Sequence, residues 1–490
     1  MKYEHRPHDI LAQDWMMAHR RGGLFLEPGL GKTGDTLTAI ERKIDTCQTM
    51  NWLVTAPNQV ARGVWRQEAA KWDHTRHLST RLITAEDFGF SGIKLRKNKD
   101  GTIEPDRILN VAKPREARKR ILGTHADITV VPHHLFPWLV RLIGRDRWTW
   151  DGVVIDENFK AQSSWWRAAC HLLPTGCEMH QLTGTPTPNG LDQLWVQQFL
   201  VDEGKRLGDT EGEFQRVWCE PVRMGLNGKG RLTVFQWKIR DHLVPLLHRI
   251  IAENFLSMKA EDWLKLPERL FVAHRIEIPM KDYDDLKRDL VLRSIDAEGH
   301  VIAANAAVLS GKLLQAANGR IYTETKDNRY VHEEKLQWLE ELADNNGNIL
   351  VAYWFKEDLE RIKKRFGKKV LELRTPEDQD AWNRGSVKLG LVQPAGGGKG
   401  LNLQDGGSVA AWYGPIHDLE VWQQFNKRLH RPGQQADRVV IHTCLAKDTI
   451  DEFVYDFVLP GKCGLQDALM MALGPSAARA ADDFWLPELA

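Results

Sequence analysis

The chain has 490 residues, 42% of them apolar and 27% charged, and its 67 basic and 66 acidic side chains leave a net charge of +1. These values fit a globular chain of two or three domains, and a near-zero total cannot argue for a nucleic-acid partner, which only local patches could supply. No apolar run reaches the roughly 18 residues of a membrane span. The opening MKYEHRPHDI lacks the apolar stretch of a signal peptide. Six scattered cysteines form neither a CxxC pair nor a zinc-spaced cluster, so the expectation is a reduced, cytoplasmic protein with structural thiols.

The first informative stretch, LFLEPGLGKTGDTLTAI from Leu24, places a glycine-rich turn between an apolar run and a helical pattern. Glycines let a turn point its N–H groups inward, and the following helix adds free donors and the positive end of its dipole. Gly29, Leu30, Gly31, Lys32 and Thr33 therefore read as a phosphate loop, with Lys32 reaching phosphates and the Thr33 hydroxyl ligating Mg²⁺. Leu26 stands where the fuller pattern has its first glycine. On this stretch alone an ordinary glycine-rich turn stays open.

Short β-rich runs follow at Trp52–Ala56, Ile128–Val131, Val153–Ile155 and Gln181–Thr183, separated by helical patterns such as Val60–Trp72. Such alternation predicts an α/β fold with a parallel sheet. Phe88 to Arg120 is polar and basic with little periodicity, and reads as a surface insertion. Three basic patches, KLRKNK from Lys94, KPREARKR from Lys113 and RIKKRFGKK from Arg361, read equally as polyanion contacts or solvated surface.

DGVVIDENF supplies two carboxylates directly after a buried run. At the C-terminal end of a parallel strand, Asp156 would hold Mg²⁺ and Glu157 would polarise the attacking water. In LTGTPTPNG, the strand ends in Thr183, Gly184 and Thr185, whose short side chains could sense the metal site. From Leu191 to about Leu266 the chain reads as helical, with a turn at MGLNGKGR, and a strand-like run and long helical patterns follow to about Asn318.

The second half repeats the alternation, with runs at Ile349–Ala352, Val370–Leu373, Leu389–Val392, Val409–Trp412 and Val439–His442. WQQFNKRLHRPGQ reads as a helix stopping at Pro432–Gly433. Gln424 and Arg428 share one face, and Arg428 and Arg431 at the end of the helix could neutralise charge on a transferring phosphoryl group. The tail after Asp467 reads as a frayed end or a short docking peptide for a protein partner.

In this order the motifs resemble those of superfamily 2 helicases and, within them, the Swi/Snf-like ATPases. EPGLGKT, LVTAPNQVARGVWRQEAAKW, VVIDENF, LTGTPTPN, GGGKGLNLQ and QFNKRLHRPGQ are similar to motifs I, Ia, II, III, V and VI, and the likeness covers about residues 5–460. The family's RPHQ glutamine is Asp9 here, so adenine readout would pass to Gln13. Phe159 stands in place of the family's motif II histidine, which bears on how hydrolysis couples to movement.

The resemblance implies two RecA-like lobes with parallel sheets and helical extensions around their junction. Lobe 1 would span 1–255, with an insertion at 88–120 and an extension at 191–255. Lobe 2 would span 256–465, with an extension at 256–325 and a core at 330–465, and 466–490 would be a tail. It further implies a monomeric, DNA-dependent ATPase of compact bacterial or phage type. Such an enzyme would hydrolyse Mg²⁺-ATP between the lobes while tracking on duplex DNA, with Lys399 and Asn402, and more weakly Lys94, Arg96 and Lys97, touching phosphates. A strand-separating DNA or RNA helicase and an ATP-gated clamp acting through a partner remain open. A small-molecule kinase would leave the second α/β half unexplained.

Overall fold

The computed structural model describes residues 1–91, 95–97, 103–105, 110–157, 164–226, 232–293, 303–322, 328–395 and 402–473. The chain forms two compact units. The first comprises Met1–Trp218, Ile239–Leu264 and the chain from Gln466, and the second comprises Cys219–Lys238 and Lys265–Leu465.

In the first unit seven strands run parallel: β1 (Arg21–Leu26), β2 (Trp52–Ala56), β3 (Thr80–Leu82), β4 (Ile128–Pro132), β5 (Gly152–Asp156), β6 (Glu178–Thr183) and β7 (Phe255–Met258). Their order is β7-β1-β6-β5-β2-β4-β3, with β5 central. Strands β2, β4 and β5 are buried along their whole length, as expected of parallel strands covered on both faces. Helices α1 (Pro7–Ala18), α2 (Lys32–Asp45) and α3 (Trp65–Lys71) belong to this unit.

The second unit holds a six-stranded parallel sheet: β8 (Glu268–Ile276), β9 (Ile349–Ala352), β10 (Val370–Glu372), β11 (Leu389–Val392), β12 (Val409–Trp412) and β13 (Arg438–Ala446), in the order β8-β13-β12-β9-β11-β10. Beneath its hydrophobic clusters lies a buried polar network. The Lys335 ammonium donates to Asp451 at 2.5 Å and to Asn318 Oδ1 at 2.8 Å, and Asp451 also accepts the Ala446 N–H. Asn318 in turn donates to Asp358 at 2.9 Å. Lys335 and Asp451 are both fully buried.

Several expectations need correction. Residues 191–266 are not helical throughout. Cys219–Leu226 and Leu232–Ile239 pair as a two-stranded sheet, and Phe255–Met258 is an edge strand. The basic stretch from Lys113 is not irregular either. Pro114–Leu122 is a helix whose Ala117 and Ile121 are buried, so its apolar residues recur at helical spacing within a charged sequence. The chain does not turn irregular directly after Asp467, because a helix runs from Leu459 to Ala472 with Leu469 and Met470 buried, and Leu473 just after it is buried as well. The Ser257 N–H donates to the Leu473 carbonyl at 3.0 Å, and the Ser257 hydroxyl donates to that of Met470. The docking peptide DDFWLPELA lies outside the described residues.

Removing one partner of a buried ion pair leaves an uncompensated charge, which costs about 3–5 kcal/mol. Lys335→Met should therefore lower unfolding stability by that order in a denaturant titration. Adding Asp451→Leu should recover much of the loss.

Candidate active site

The site is built at the C-terminal edge of the first unit's sheet. The chain leaves β1 at Leu26 and enters α2 at Lys32, and Gly31 caps the helix in the left-handed region with φ 80°. Glycine adopts that conformation without strain, and the first N–H groups of α2 have no partner inside the helix. The Lys32 ammonium folds back over the turn, donating to the Leu26 carbonyl at 3.1 Å and to Glu157 Oε1 at 3.4 Å.

The carboxylates predicted from the sequence lie beside it. Asp156 ends β5 and is buried, with its Oδ2 accepting the Trp65 indole N–H at 3.1 Å. Burial, and then the neighbouring charge of Glu157, push its carboxyl up to about 7, while Lys32 and Trp65 pull the other way. Glu157 takes φ +55°, a left-handed conformation in a residue with a side chain. That conformation costs about 1–2 kcal/mol, so surrounding bonds must hold it. Its N–H donates to the Leu182 carbonyl at 2.7 Å, and its Oε2 accepts the Thr183 hydroxyl at 3.0 Å. Thr183 Oγ1 also accepts the Thr185 N–H at 3.1 Å. Gly184 packs so tightly that a Cβ there would lie 2.9 Å from Pro28 Cδ and 3.3 Å from Lys32 Nζ. Lys32, Asp156, Glu157 and the Thr183–Thr185 segment thus converge, and Thr33, in the first turn of α2, begins the same helix.

A second polar cluster backs the glycine turn. Arg6 grips Asp9 through two bonds of 2.9 and 3.1 Å. Gln13, from α1, donates to Asp35 Oδ1 at 3.0 Å, and the Tyr3 hydroxyl donates to the same oxygen at 2.9 Å. Oxygens of Asp9 and Asp35 lie 3.6 and 3.5 Å from where a Cβ on Gly31 would stand. Burial, reinforced by the charge of Asp9, pushes the Asp35 carboxyl up to about 8.

In the second unit, Gln424 lies on α4 (Leu419–Asn426), which is capped by Asp418. Arg428 and Arg431 do not continue that helix, contrary to the sequence reading. The helix ends at Asn426 and both arginines sit in the turns that follow, before Pro432. The Gln424 amide donates to Glu420 at 2.9 Å, and Arg431 Nε donates to the Lys427 carbonyl at 2.9 Å. Burial, and then the charge of Arg431, lower Arg428 to about 9, and burial also lowers Arg431. Gln434 fastens this turn, donating to the carbonyls of Gln404, Gly407 and Leu429.

Of the expected nucleic-acid contacts, Asn402 is exposed. Lys94 and Lys399, with Asn158 and Phe159, lie outside the described residues. Arg96 and Lys97 belong to a strand, Leu95–Lys97, that pairs antiparallel with Ile103–Pro105. The sequence reading missed the roles of Tyr3, Asp35, His133 and Gln434, and quoted Trp65 only as part of a motif. The available signal for His133 was its place directly after a strand that ends at the same sheet edge.

Two parallel α/β units in one chain, the first with a glycine turn, lysine and paired carboxylates at its sheet edge, define a helicase-like ATPase of superfamily 2. The model of the SNF2-related domain matches residues 3–265. Putative protein p41 of Acyrthosiphon pisum secondary endosymbiont phage 1 is 33% identical over 496 residues, spanning 96% of this chain and 98% of that one. The chain belongs to the SNF2-related family. The DNA excision repair protein ERCC-6-like of Bos taurus is 26% identical over 205 residues, which is 41% of this chain and 14% of that protein. The solved Sulfolobus solfataricus SWI2/SNF2 ATPase core in complex with dsDNA aligns over 98% of this chain and 95% of its own, at 18% identity and a TM-score of 0.42. Among the described residues no helix is long and apolar enough to cross a membrane.

The Asp35 carboxyl gives a pH prediction. It ionises near 3.8 when unfolded and near 8 when folded. The folded state therefore binds more protons between those values, and stability falls as pH rises through that window. Thermal melts from pH 5 to 8 should show this loss in the wild type and a smaller one in Asp35→Asn.

Proposed function

We propose that the chain is an ATP-driven motor that hydrolyses ATP and tracks on duplex DNA without separating its strands. The observation that carries the reading is the convergence of Lys32, Asp156, Glu157 and Thr183 at one sheet edge. A lysine resting on a carbonyl and a carboxylate can exchange those partners for phosphate oxygens. A helix start capped by a left-handed glycine offers N–H donors to the same anion.

The donor set fits Mg²⁺, since Asp156 and Thr33 offer hard oxygen ligands. When bound, the ion would neutralise phosphate charge. Lys32 would then hold the β- and γ-phosphates, Glu157 would orient the attacking water, and Thr183 would fix the Glu157 carboxylate. From the second unit, Arg428 and Arg431 would stabilise charge on the transferring phosphoryl group, and Gln424 would support nucleotide binding. Gln13 would contribute to base recognition in place of a glutamine at Asp9. Asn402, Lys399 and the 94–97 stretch would grip DNA phosphates, which makes binding sequence-independent and salt-sensitive. Family membership supports these assignments, and the phage relative suits a protein working in the cytoplasm of a bacterial host.

The test is ATPase turnover with duplex DNA, single-stranded DNA and RNA at two salt concentrations, together with triplex displacement and fork unwinding. Duplex DNA should stimulate turnover and support triplex displacement while a forked duplex stays paired. Unwinding of the fork would replace this reading with a helicase. Glu157→Gln should lower stimulated turnover by about 10²–10⁴-fold, and Lys32→Ala should abolish nucleotide binding in a fluorescent-ADP titration. Wild-type turnover in Glu157→Gln, with no stimulation by DNA, would point to a clamp.

A further inference from the structure

Glu157 is held from one more side, by a residue to which neither the motifs nor the family match gives a role. His133 follows the last residue of β4 and is buried. Its Nε2 lies 3.1 Å from the carbonyl oxygen of Glu157, and its Nδ1 lies 2.9 Å from the hydroxyl of Thr55 on β2. A carbonyl only accepts, so Nε2 carries the proton. In the neutral ring Nδ1 then accepts from Thr55, which fixes the tautomer. The ring is fixed as well. The His133 N–H donates to the Ala56 carbonyl at 2.9 Å, Trp166 Nε1 donates to the His133 carbonyl at 3.2 Å, and the Trp166 ring meets the imidazole edge-on at 5.9 Å.

The bond matters because of where it acts. Glu157 stands in a left-handed conformation that its own side chain opposes. Its N–H is secured by β6 and its carboxylate by Lys32 and Thr183. Lys32 is lost as a carboxylate partner once it turns to phosphate. The His133 bond to the Glu157 carbonyl does not depend on the nucleotide, so it persists when the carboxylate must be most accurately aimed. We propose that His133 is a positioning residue for ATP hydrolysis, holding the Glu157 main chain, through a Thr55–His133 relay, in the conformation that aims its carboxylate at the attacking water. The inference rests on the proposed role of Glu157.

The test compares His133→Gln, which keeps an N–H donor at the Nε2 position, with His133→Phe, which keeps the ring shape without a donor. Stimulated ATPase kinetics and thermal melts are measured on the full chain for both, beside Glu157→Gln. A misaimed base costs turnover rather than affinity. His133→Phe should therefore lower kcat by about 10- to 100-fold with KM for ATP within about twofold of wild type, and His133→Gln should recover most of kcat. A purely structural role predicts the reverse order, because a phenyl ring suits the buried site better than an amide. Wild-type kcat in His133→Phe, or loss in KM alone, overturns the inference while an inactive Glu157→Gln leaves the hydrolytic reading intact. Wild-type turnover in Glu157→Gln overturns both.

Discussion

A parallel sheet covered on both faces has little room for polar side chains except where its strands end. In the first unit that constraint gathers Thr55, His133, Asp156, Glu157 and Thr183 onto one edge, although they lie far apart in the chain, between positions 55 and 183. Two adjacent carboxylates there meet one ammonium, that of Lys32. The raised Asp156 carboxyl follows from that shortage of positive charge together with burial. A site with more negative than positive charge in a poorly hydrated place favours a further cation.

The second unit uses the same sheet architecture with opposite charge. Its turn after α4 carries Arg428, which is buried, and Arg431, and burial and then the charge of Arg431 lower the Arg428 guanidinium. Gln434 fastens that turn through three carbonyls, so the arginines sit on a braced segment rather than on a frayed helix end.

The central strands were legible because burial on both faces writes them as unbroken apolar runs, as in Trp52–Ala56 and Val153–Ile155. Thr80–Leu82 escaped notice because it is three half-buried residues containing an arginine. Phe255–Met258 escaped notice because it is only four residues long, separated from the preceding helix by the short turn Glu253–Asn254. The turn MGLNGKGR between Cys219–Leu226 and Leu232–Ile239 reads as a break between helices, although its Asn227–Gly228 step is the kind that joins paired strands. Around the proposed site, motif spacing singles out Lys32, Asp156 and Glu157 and the segment around Thr183, which the structure brings together. It could not identify Asp35 or His133, whose partners lie 22 to 32 and 24 to 78 positions away and become neighbours only after folding.

The edge strand Phe255–Met258 shows what the end of the described chain contributes. An open parallel edge presents unpaired N–H and C=O groups to any strand that arrives. Here the Ser257 N–H is already taken by the Leu473 carbonyl, and its hydroxyl by that of Met470. The last helical turns therefore act as a lid on the sheet's sticky border. A chain shortened before Gln466 would keep the edge that carries Lys32, Asp156 and Glu157, yet its border would be open to self-association.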